Sequence, residues 1–503
     1  MEKVKDPEFH LLFNPRSIAL FGASNNIQKW GAIIFLNILL GGYPGKLYPV
    51  NPRENEIFGH KAFPTATQIP DPVDLAVIVI PAQAVKEAVR DCVRKGIRMA
   101  VVITADFSET GEEGARLEKE MIAMARAGGM RLVGPNTMGI FSASCSLTAL
   151  MPPVRPKRGS VSLVSQSGNI GTQMLAWGEE FQVGFGKYVS SGNEGDLHSE
   201  DYLSFFGRDP ETQVILTYVE GLHDGRRFFD IAREITPLKP IIAFKGGKTS
   251  AGARAAKSHS GAMAGLRELF DATFRQAGII GASTTDEMLE LAAAFSSLPL
   301  PKGNRVAILT RGGGWGVITA DACLEAGLEV PMLDEPIIKA LDKTLPPYWS
   351  RGNPVDMVAT HTMEPYMKCL DILISSEKID AVISLSGNLG PLPGILADME
   401  KRGEKLISQE TRKEIEANLV AAENLISSGV EELMKRYQKP IFAVGSNLFR
   451  TGDALRANPS YPQFRTPERA ARSAGLLYQY SRFRSSRGSE RIQNSTARIQ
   501  KES

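Results

Sequence analysis

The chain has 503 residues, 43% of them hydrophobic and 23% charged, with 47 Gly, 30 Pro, 4 Cys and a formal charge of +2. At ~100–200 residues per domain that length predicts about three domains, and the ordinary apolar content excludes disorder as the main state. The near-neutral balance gives no electrostatic reason for nucleic acid as the main partner; six Arg or Lys against two Glu from Ser481 to Ser503 put +4 there and leave −2 on the rest.

Ser17 to Phe21 is a short apolar run ending in Gly22-Ala23-Ser24, and an amphipathic stretch from Gly31 to Leu40 follows. Lys46 to Val50, Leu75 to Ile80, Ala100 to Thr104 and Arg131 to Val133 repeat the strand pattern. Helical spacing lies between them, over Gln83 to Lys95 and Glu112 to Ala127. Continuous β-branched runs mark strands buried on both faces, and their alternation with helices predicts βαβ units in a doubly wound fold. The linker Pro152 to Gly159 precedes a second block, with strands at Val161 to Val164, Val214 to Tyr218 and Pro240 to Phe244 and an Ala-rich helix from Thr285 to Phe295. After Pro299 to Asn304 a third block has strands at Arg305 to Thr310, Ala381 to Leu385 and Pro440 to Val444. The charged stretch Ile395 to Tyr437 reads as two solvated helices. A final helix is expected from Pro467 to Tyr480, ahead of a disordered Ser/Arg-rich tail.

Cys92, Cys145, Cys323 and Cys369 are far apart, with no CxxC and no nearby His, which argues against a disulfide framework or a zinc site and fits a reducing cytoplasm. Residues 1–20 carry no signal-peptide pattern. The apolar stretch Ala32 to Leu40 is shorter than the ~20 residues that span a bilayer. A cytoplasmic protein with no metal, membrane or nucleic-acid site is expected.

Each block has a glycine-containing turn directly after its first strand: Gly22 to Asn26, Ser165 to Gly171 and Arg311 to Gly316. Ligands of open α/β sheets bind beyond the carboxyl ends of the strands, where a helix N-terminus offers free N–H groups to an anion and glycine lets the backbone approach closely. None of the three is a full GxGxxG, and no GxxxxGK[ST] loop exists, which excludes a P-loop triphosphate site. Of six histidines only His259 sits among small residues, in Lys257-Ser258-His259-Ser260-Gly261-Ala262-Met263-Ala264-Gly265. A surface histidine with one hydrogen bond is one explanation. The other is a nucleophile whose second ring nitrogen is held by Glu220, at the end of the apolar run Val214 to Val219.

These residues resemble the nucleoside-diphosphate-forming acyl-CoA synthetases of the succinyl-CoA synthetase superfamily, and most closely their ADP-forming acetyl-CoA synthetase alpha subunits. The resemblance runs from Phe13 to Tyr480. It rests on Asn14-Pro15-Arg16-Ser17, Gly22-Ala23-Ser24, Tyr48-Pro49-Val50-Asn51-Pro52, Gly134-Pro135-Asn136, Ser165-Gln166-Ser167-Gly168 and Asp209-Pro210-Glu211-Thr212. Tyr218-Val219-Glu220-Gly221, Ser258-His259-Ser260-Gly261, Asn353-Pro354-Val355-Asp356 and Pro467-Glu468-Arg469-Ala470 complete it.

The resemblance implies an α/β chain of three doubly wound, mostly parallel-sheet domains in series. They are a Rossmann-like CoA-binding domain (1–150), a flavodoxin-like phosphohistidine domain (158–298) and a flavodoxin-type ligase-like domain (304–480), with a basic disordered tail (481–503). Gly22, Ala23, Ser24, Asn25, Pro52, Arg53, Pro81 and Thr104 would line the CoA pocket. Ser167, Gly168, Asn169, Ile170 and Gly171, with Gly313 and Gly314, would bind phosphate. His259 would carry a phosphoryl group from an acyl phosphate to ADP, with Glu220 orienting its ring. CoA, phosphate and a small carboxylic acid, acetate above all, are the implied substrates. ADP or ATP with Mg²⁺ is implied mainly on an ATP-grasp beta subunit in a hetero-oligomer such as alpha2beta2, since no room for that domain remains here.

Gly192-Asn193-Glu194-Gly195-Asp196 stands where the family has Gly-Asn-Lys-Ala-Asp, reversing one charge near the expected phosphate site. That departure keeps open a CoA-binding regulatory or scaffold protein without catalysis. A dinucleotide-dependent oxidoreductase fits the first turn, but leaves the histidine stretch unexplained.

Overall fold

The computed structural model describes residues 6–252, 254, 267–358, 363–385, 402, 408–445 and 461–502. The chain divides into two compact units, Met1–Ala292 and Ala293–Ser503. Among the described residues the first unit holds two large sheets and a two-stranded antiparallel pair (Glu56–Ile57 with His60–Lys61), and the second holds one large sheet.

The first sheet is made of β1 (Ser17–Phe21), β2 (Lys46–Val50), β3 (Leu75–Ile78), β4 (Met99–Val102) and β5 (Arg131–Val133), all parallel, in the order β2-β1-β3-β4-β5. Helices α1 (Asp6–Phe13), α2 (Trp30–Leu40), α3 (Ala82–Lys95) and α4 (Glu112–Ala127) belong to this part of the chain. Every residue of β1, β3 and β4 is buried, as continuous apolar runs require of strands covered on both faces.

The second sheet contains β6 (Gly139–Ser142), β7 (Leu147–Leu150), β8 (Arg158–Ser165), β9 (Phe185–Ser190), β10 (Val214–Val219), β11 (Ile241–Lys245) and β12 (Ile280–Gly281). Its order is β12-β11-β10-β8-β9-β6-β7, in which β6 alone is reversed, antiparallel to both β9 and β7. Helices α5 (Gly168–Trp177), α6 (Ser199–Arg208), α7 (Gly225–Ile235), α8 (Arg267–Ala277) and α9 (Thr285–Ser297) follow in sequence. The β6–β7 hairpin joins this sheet, although it precedes the linker at 152–159; the chain leaves the first sheet after β5.

In the second unit β13 (Val306–Thr310), β14 (Val355–Asp356), β15 (Ala381–Leu385), β16 (Ile441–Val444) and β17 (Gln463–Phe464) run parallel in the order β14-β13-β15-β16-β17. The helices are α10 (Gly313–Glu325), α11 (Glu335–Asp342), α12 (Met363–Ser375), α13 (Gln409–Tyr437) and α14 (Pro467–Glu502). Asn353 fastens the strand neighbourhood, accepting from the Ile308 N–H at 2.9 Å and donating to the carbonyls of Val306 and Pro331.

The three sheets share one plan. The first strand of each parallel set lies between the second and the third, so the winding reverses at β1, β8 and β13, and a glycine-containing turn follows each of them. The expected α/β class of three mostly parallel sheets holds.

The stretch Ile395 to Tyr437, expected to hold two helices, lies partly outside the described residues; its part from Gln409 to Tyr437 is the single helix α13, which Ser408 caps by accepting from the Thr411 N–H at 3.0 Å. One expectation, about the tail, does not hold. The tail is not a disordered segment but the continuation of α14 to Glu502. Arg482 over Tyr478, Arg484 over Tyr480 and Arg487 over Phe483 form a run of (i, i+4) cation–aromatic contacts at 5.8–5.9 Å that supports helix past Tyr480.

Within the first unit one apolar core runs through both sheets, with Phe9, Leu12, Ile18 and Leu75 in the same cluster as Leu203, Phe206 and Ile215. Phe9 and Phe13 of α1 stack on Phe205 of α6, with ring centroids 4.9 and 5.4 Å apart. A polar seam reinforces this core. The fully buried Asp196 carboxylate accepts from Arg126 Nε at 2.6 Å, Arg131 Nε at 2.9 Å and the Leu132 N–H at 2.8 Å. Gly192 (φ +60°) passes so close to the first sheet that a Cβ there would lie 2.1 Å from the Pro135 carbonyl. Removing one partner of a buried ion pair strands the others. Asp196→Ala is therefore expected to lower the stability of the first unit by about 3 kcal/mol in urea unfolding, leaving the second unit's transition in place; an unchanged first transition would refute the seam's role.

Candidate functional site

The C-terminal ends of β1, β3, β4 and β8 open into one cleft of about 1190 Å³ in the first unit. Its floor begins at Gly22, whose φ of +86° is open to glycine at little cost, and whose N–H donates to the Val50 carbonyl at 3.1 Å. A Cβ at Gly22 would meet the Val79 carbonyl at 2.2 Å, and one at Gly31 would meet the Gly22 carbonyl at 1.9 Å. Two glycines thus let the β1 end and the first turn of α2 touch backbone to backbone.

The cleft brings together most of the expected CoA residues: Gly22, Ser24, Pro52, Arg53, Pro81 and Thr104 all line it. Thr104 ties two strand ends together, donating from Oγ1 to the Ile80 carbonyl at 2.7 Å and accepting the Ile80 N–H at 3.2 Å. Asn51 donates to the Ala23 carbonyl at 2.8 Å and accepts the Arg53 N–H at 2.8 Å, which shapes the turn presenting Arg53. Ala23 and Asn25 are not among the lining residues. Ala23 is buried, and Asn25 is a fastener, bonding Glu54, the Glu56 carbonyl and the Phe58 N–H.

The turn after β8 reaches the same cleft through Gln166, Ser167, Gly168 and Asn169. Ser167 is the N-cap of α5, its hydroxyl accepting from the Ile170 N–H at 3.5 Å. Ile170 and Gly171 lie one turn inside the helix, and Gly171 packs on the Tyr188 ring. The starts of α2, α3 and α5 all border the cleft, and none of these helices has an acidic residue in its first turn. Three positive helix ends bordering one space favour anionic groups there, although Glu87 and Asp91 also line the cleft.

Glu220 follows β10 and is 7% exposed; the Tyr218 hydroxyl reaches its carboxylate at 3.3 Å. Gln166 joins the two turns: its side-chain carbonyl accepts the Glu220 and Gly221 N–H groups at 2.5 and 3.1 Å, and its amide donates to the Gly221 carbonyl at 2.8 Å. On the adjoining β11, Lys245 donates to the Glu220 carbonyl at 2.8 Å, and burial lowers its ammonium pKa. His259 lies outside the described residues; the chain enters its segment from β11, the strand paired with β10. Gly313 and Gly314 open α10 in the second unit, again with no acid in the first turn and open space around Gly314.

Lys29 and Trp30 at the start of α2 and Met138 line the cleft without having been singled out by sequence, while Asn136, Gln166, Gly192 and Asn193 were noted in motifs but given no binding role. Lys29 had a local signal, as a cation just before an apolar helix. The others come from distant parts of the chain, and only folding places them together. Among the described residues, no three His, Cys, Asp or Glu side chains are arranged to hold a metal ion, and no helix is long and apolar enough to cross a membrane.

Known proteins share this arrangement. Residues 16–143 match a CoA binding domain, 158–295 a succinyl-CoA ligase like flavodoxin domain, and 306–443 a ligase-CoA domain. The acetate–CoA ligase [ADP-forming] II subunit alpha of Pyrococcus furiosus is 44% identical over 74% of this chain and 81% of its own length. A 4-hydroxybutyrate–CoA ligase [ADP-forming] of Nitrosopumilus maritimus is 34% identical over 78% of this chain and 57% of its own. The structure of acetyl-coenzyme A synthetase 1 from Ca. Korarchaeum cryptofilum, in complex with phosphate and ADP, superposes with a TM-score of 0.81 at 32% identity, covering 95% of this chain and 97% of that one. With these three domains in this order and these relatives, the chain belongs to the family of ADP-forming acyl-CoA synthetase alpha subunits.

Proposed function

We propose that the chain is the alpha subunit of an acetate–CoA ligase that interconverts acetyl-CoA, ADP and phosphate with acetate, CoA and ATP. The observation that carries this is the single cleft in which the β1 and β2 turns meet the N-terminus of α5. Its volume exceeds the ~300–1000 Å³ of ordinary ligand pockets, as a site for CoA and phosphate together requires.

In the first step a phosphate oxygen attacks the thioester carbonyl carbon, the C–S bond breaks, and CoA leaves with acetyl phosphate formed. The α5 N–H groups, capped by Ser167, would stabilise charge on the phosphate without moving, because folding has already oriented them. In the second step an imidazole nitrogen of His259 attacks phosphorus and the P–O bond to the acetyl group breaks, releasing acetate. Glu220 would hold the other ring nitrogen as N–H, keeping the attacking nitrogen unprotonated. In the third step a terminal ADP oxygen takes the phosphoryl group and frees the imidazole. The domain holding ADP and Mg²⁺ is assigned to an ATP-grasp beta subunit, and the alpha designation of the Pyrococcus furiosus relative supports a two-subunit enzyme. Acetate is the proposed acid; the 4-hydroxybutyrate relative makes longer acids the natural competitors.

Incubation with labelled acetyl phosphate should yield an acid-labile, base-stable phosphoryl adduct that His259→Ala abolishes and Glu220→Gln forms roughly 10²-fold more slowly. Equal labelling of wild type and His259→Ala would overturn the mechanism, and no adduct in any form would favour a CoA-binding regulatory protein. Arg53→Ala should raise the CoA Kd about tenfold in calorimetry, the loss of one charge-assisted contact; an unchanged Kd would remove Arg53 from the site.

A further inference from the structure

Glu194 belongs to the seam turn, between the cleft residue Asn193 and the second sheet, and is 2% exposed. One carboxyl oxygen accepts the hydroxyls of Ser191 at 2.7 Å and Ser199 at 2.5 Å; the other is buried with no hydrogen-bond partner. The cleft residue Gln166 faces the same carboxyl. From α6, Glu200 is equally buried, with one oxygen accepting the Asp224 N–H at 3.3 Å and the other unpartnered, and the Tyr202 hydroxyl is buried without a partner.

The cations nearby are already engaged. Arg131 is held by Asp196 and Arg227 by Asp201. His223 stands 3.9 Å from the free Glu194 oxygen, half exposed and stacked on His198 at 4.4 Å. Burial raises the Glu194 pKa, pushes Glu200 up to about 7 with the help of the Glu194 charge, and pushes His198 down to about 4. Two buried carboxyls with free oxygens and no engaged cation favour the protonated form.

We propose that Glu194 is a positioning residue for the phosphate site: held as the neutral acid, it lets the seam turn lie beside a bound phosphate, and its ionisation weakens phosphate binding in the adjoining cleft. This role rests on the acyl-CoA and phosphate site proposed above. The physical reason is simple. A carboxylate behind Gln166 and Asn193 would repel the anion that the α5 N-terminus attracts, whereas a carboxylic acid would not.

The test uses the chain reconstituted with its beta subunit and the isolated chain side by side. From pH 6 to pH 9 the KM for inorganic phosphate should rise in wild type relative to Glu194→Gln, reaching roughly tenfold at the alkaline end, with phosphate's own titration common to both. Isolated wild-type chain should show infrared absorption of protonated carboxyl at pH 6, and Glu194→Gln should lose one component of it while the Glu200 component remains. The wild-type melting shift with added phosphate should shrink as the pH rises. A band absent from wild type at pH 6, or parallel KM profiles in the two forms, would overturn the proposal. Should Glu194→Gln not fold, Glu200→Gln decides instead: its remaining protonated-carboxyl band at pH 6 and its phosphate-dependent melting should both persist, and loss of the whole band would overturn the proposal. Absence of both turnover and phosphoryl adduct would defeat the ligase assignment instead, and those two measurements on the isolated chain would still decide the role of Glu194.

Discussion

The arrangement of the first unit hangs on one buried carboxylate. Asp196 binds Arg126 from the last turn of α4 and Arg131 and the Leu132 N–H from the first sheet, while its own backbone belongs to the turn after β9 of the second. The same turn reaches back through Asn193, which donates to Glu118 at 3.0 Å and to the Ser108 hydroxyl at 3.1 Å, and whose N–H bonds the Pro135 carbonyl at 2.9 Å. Two sheets with separate windings are thereby locked with their carboxyl edges on one cleft. Without the lock, a CoA turn and a phosphate turn would be two unrelated corners of two α/β layers.

Electrostatics then gives the cleft its chemistry. Helices α2, α3 and α5 begin at its border without first-turn acids, so their partial positive charges are not cancelled locally. Helices elsewhere in the chain, such as α4 with Glu112 and Glu113, do carry such acids. Negative charge is thus absent from the first turns of the helices that border the cleft, while Glu87 and Asp91 of α3 line it further along that helix. Glu194 lies buried behind the lining residue Asn193.

The sheets were readable from sequence where burial and apolarity agree. β1, β3, β4, β10 and β15 are continuous apolar runs, and the glycine turns after the first strands marked the reversal points. The strand β9 was hidden because it carries Lys187, 2% exposed, whose charge is met by Asp209 at 2.8 Å and Glu211 at 2.6 Å from a later turn. That pairing also shows why the Asp209-Pro210-Glu211-Thr212 motif exists: it is structural. The helix past Tyr480 had a signal in the four-residue spacing of aromatic and Arg, which the tail's polar composition masked. Among site residues, local turns were legible and long-range neighbours were not; Gln166 and Asn193 acquire meaning only when β8, β10 and the seam are brought together. Asn25, by contrast, sits in the right motif but spends its side chain on the loop at 54–58.

The central claim is that one cleft holds both CoA and the phosphate that cleaves its thioester. A crystal structure of the chain grown with CoA and inorganic phosphate together tests this most directly. Density for CoA along Gly22, Arg53 and Thr104, with phosphate at the start of α5 beside Ser167 and Gly168, is the predicted result. CoA bound elsewhere, or phosphate bound away from α5 while CoA fills the cleft, would contradict it.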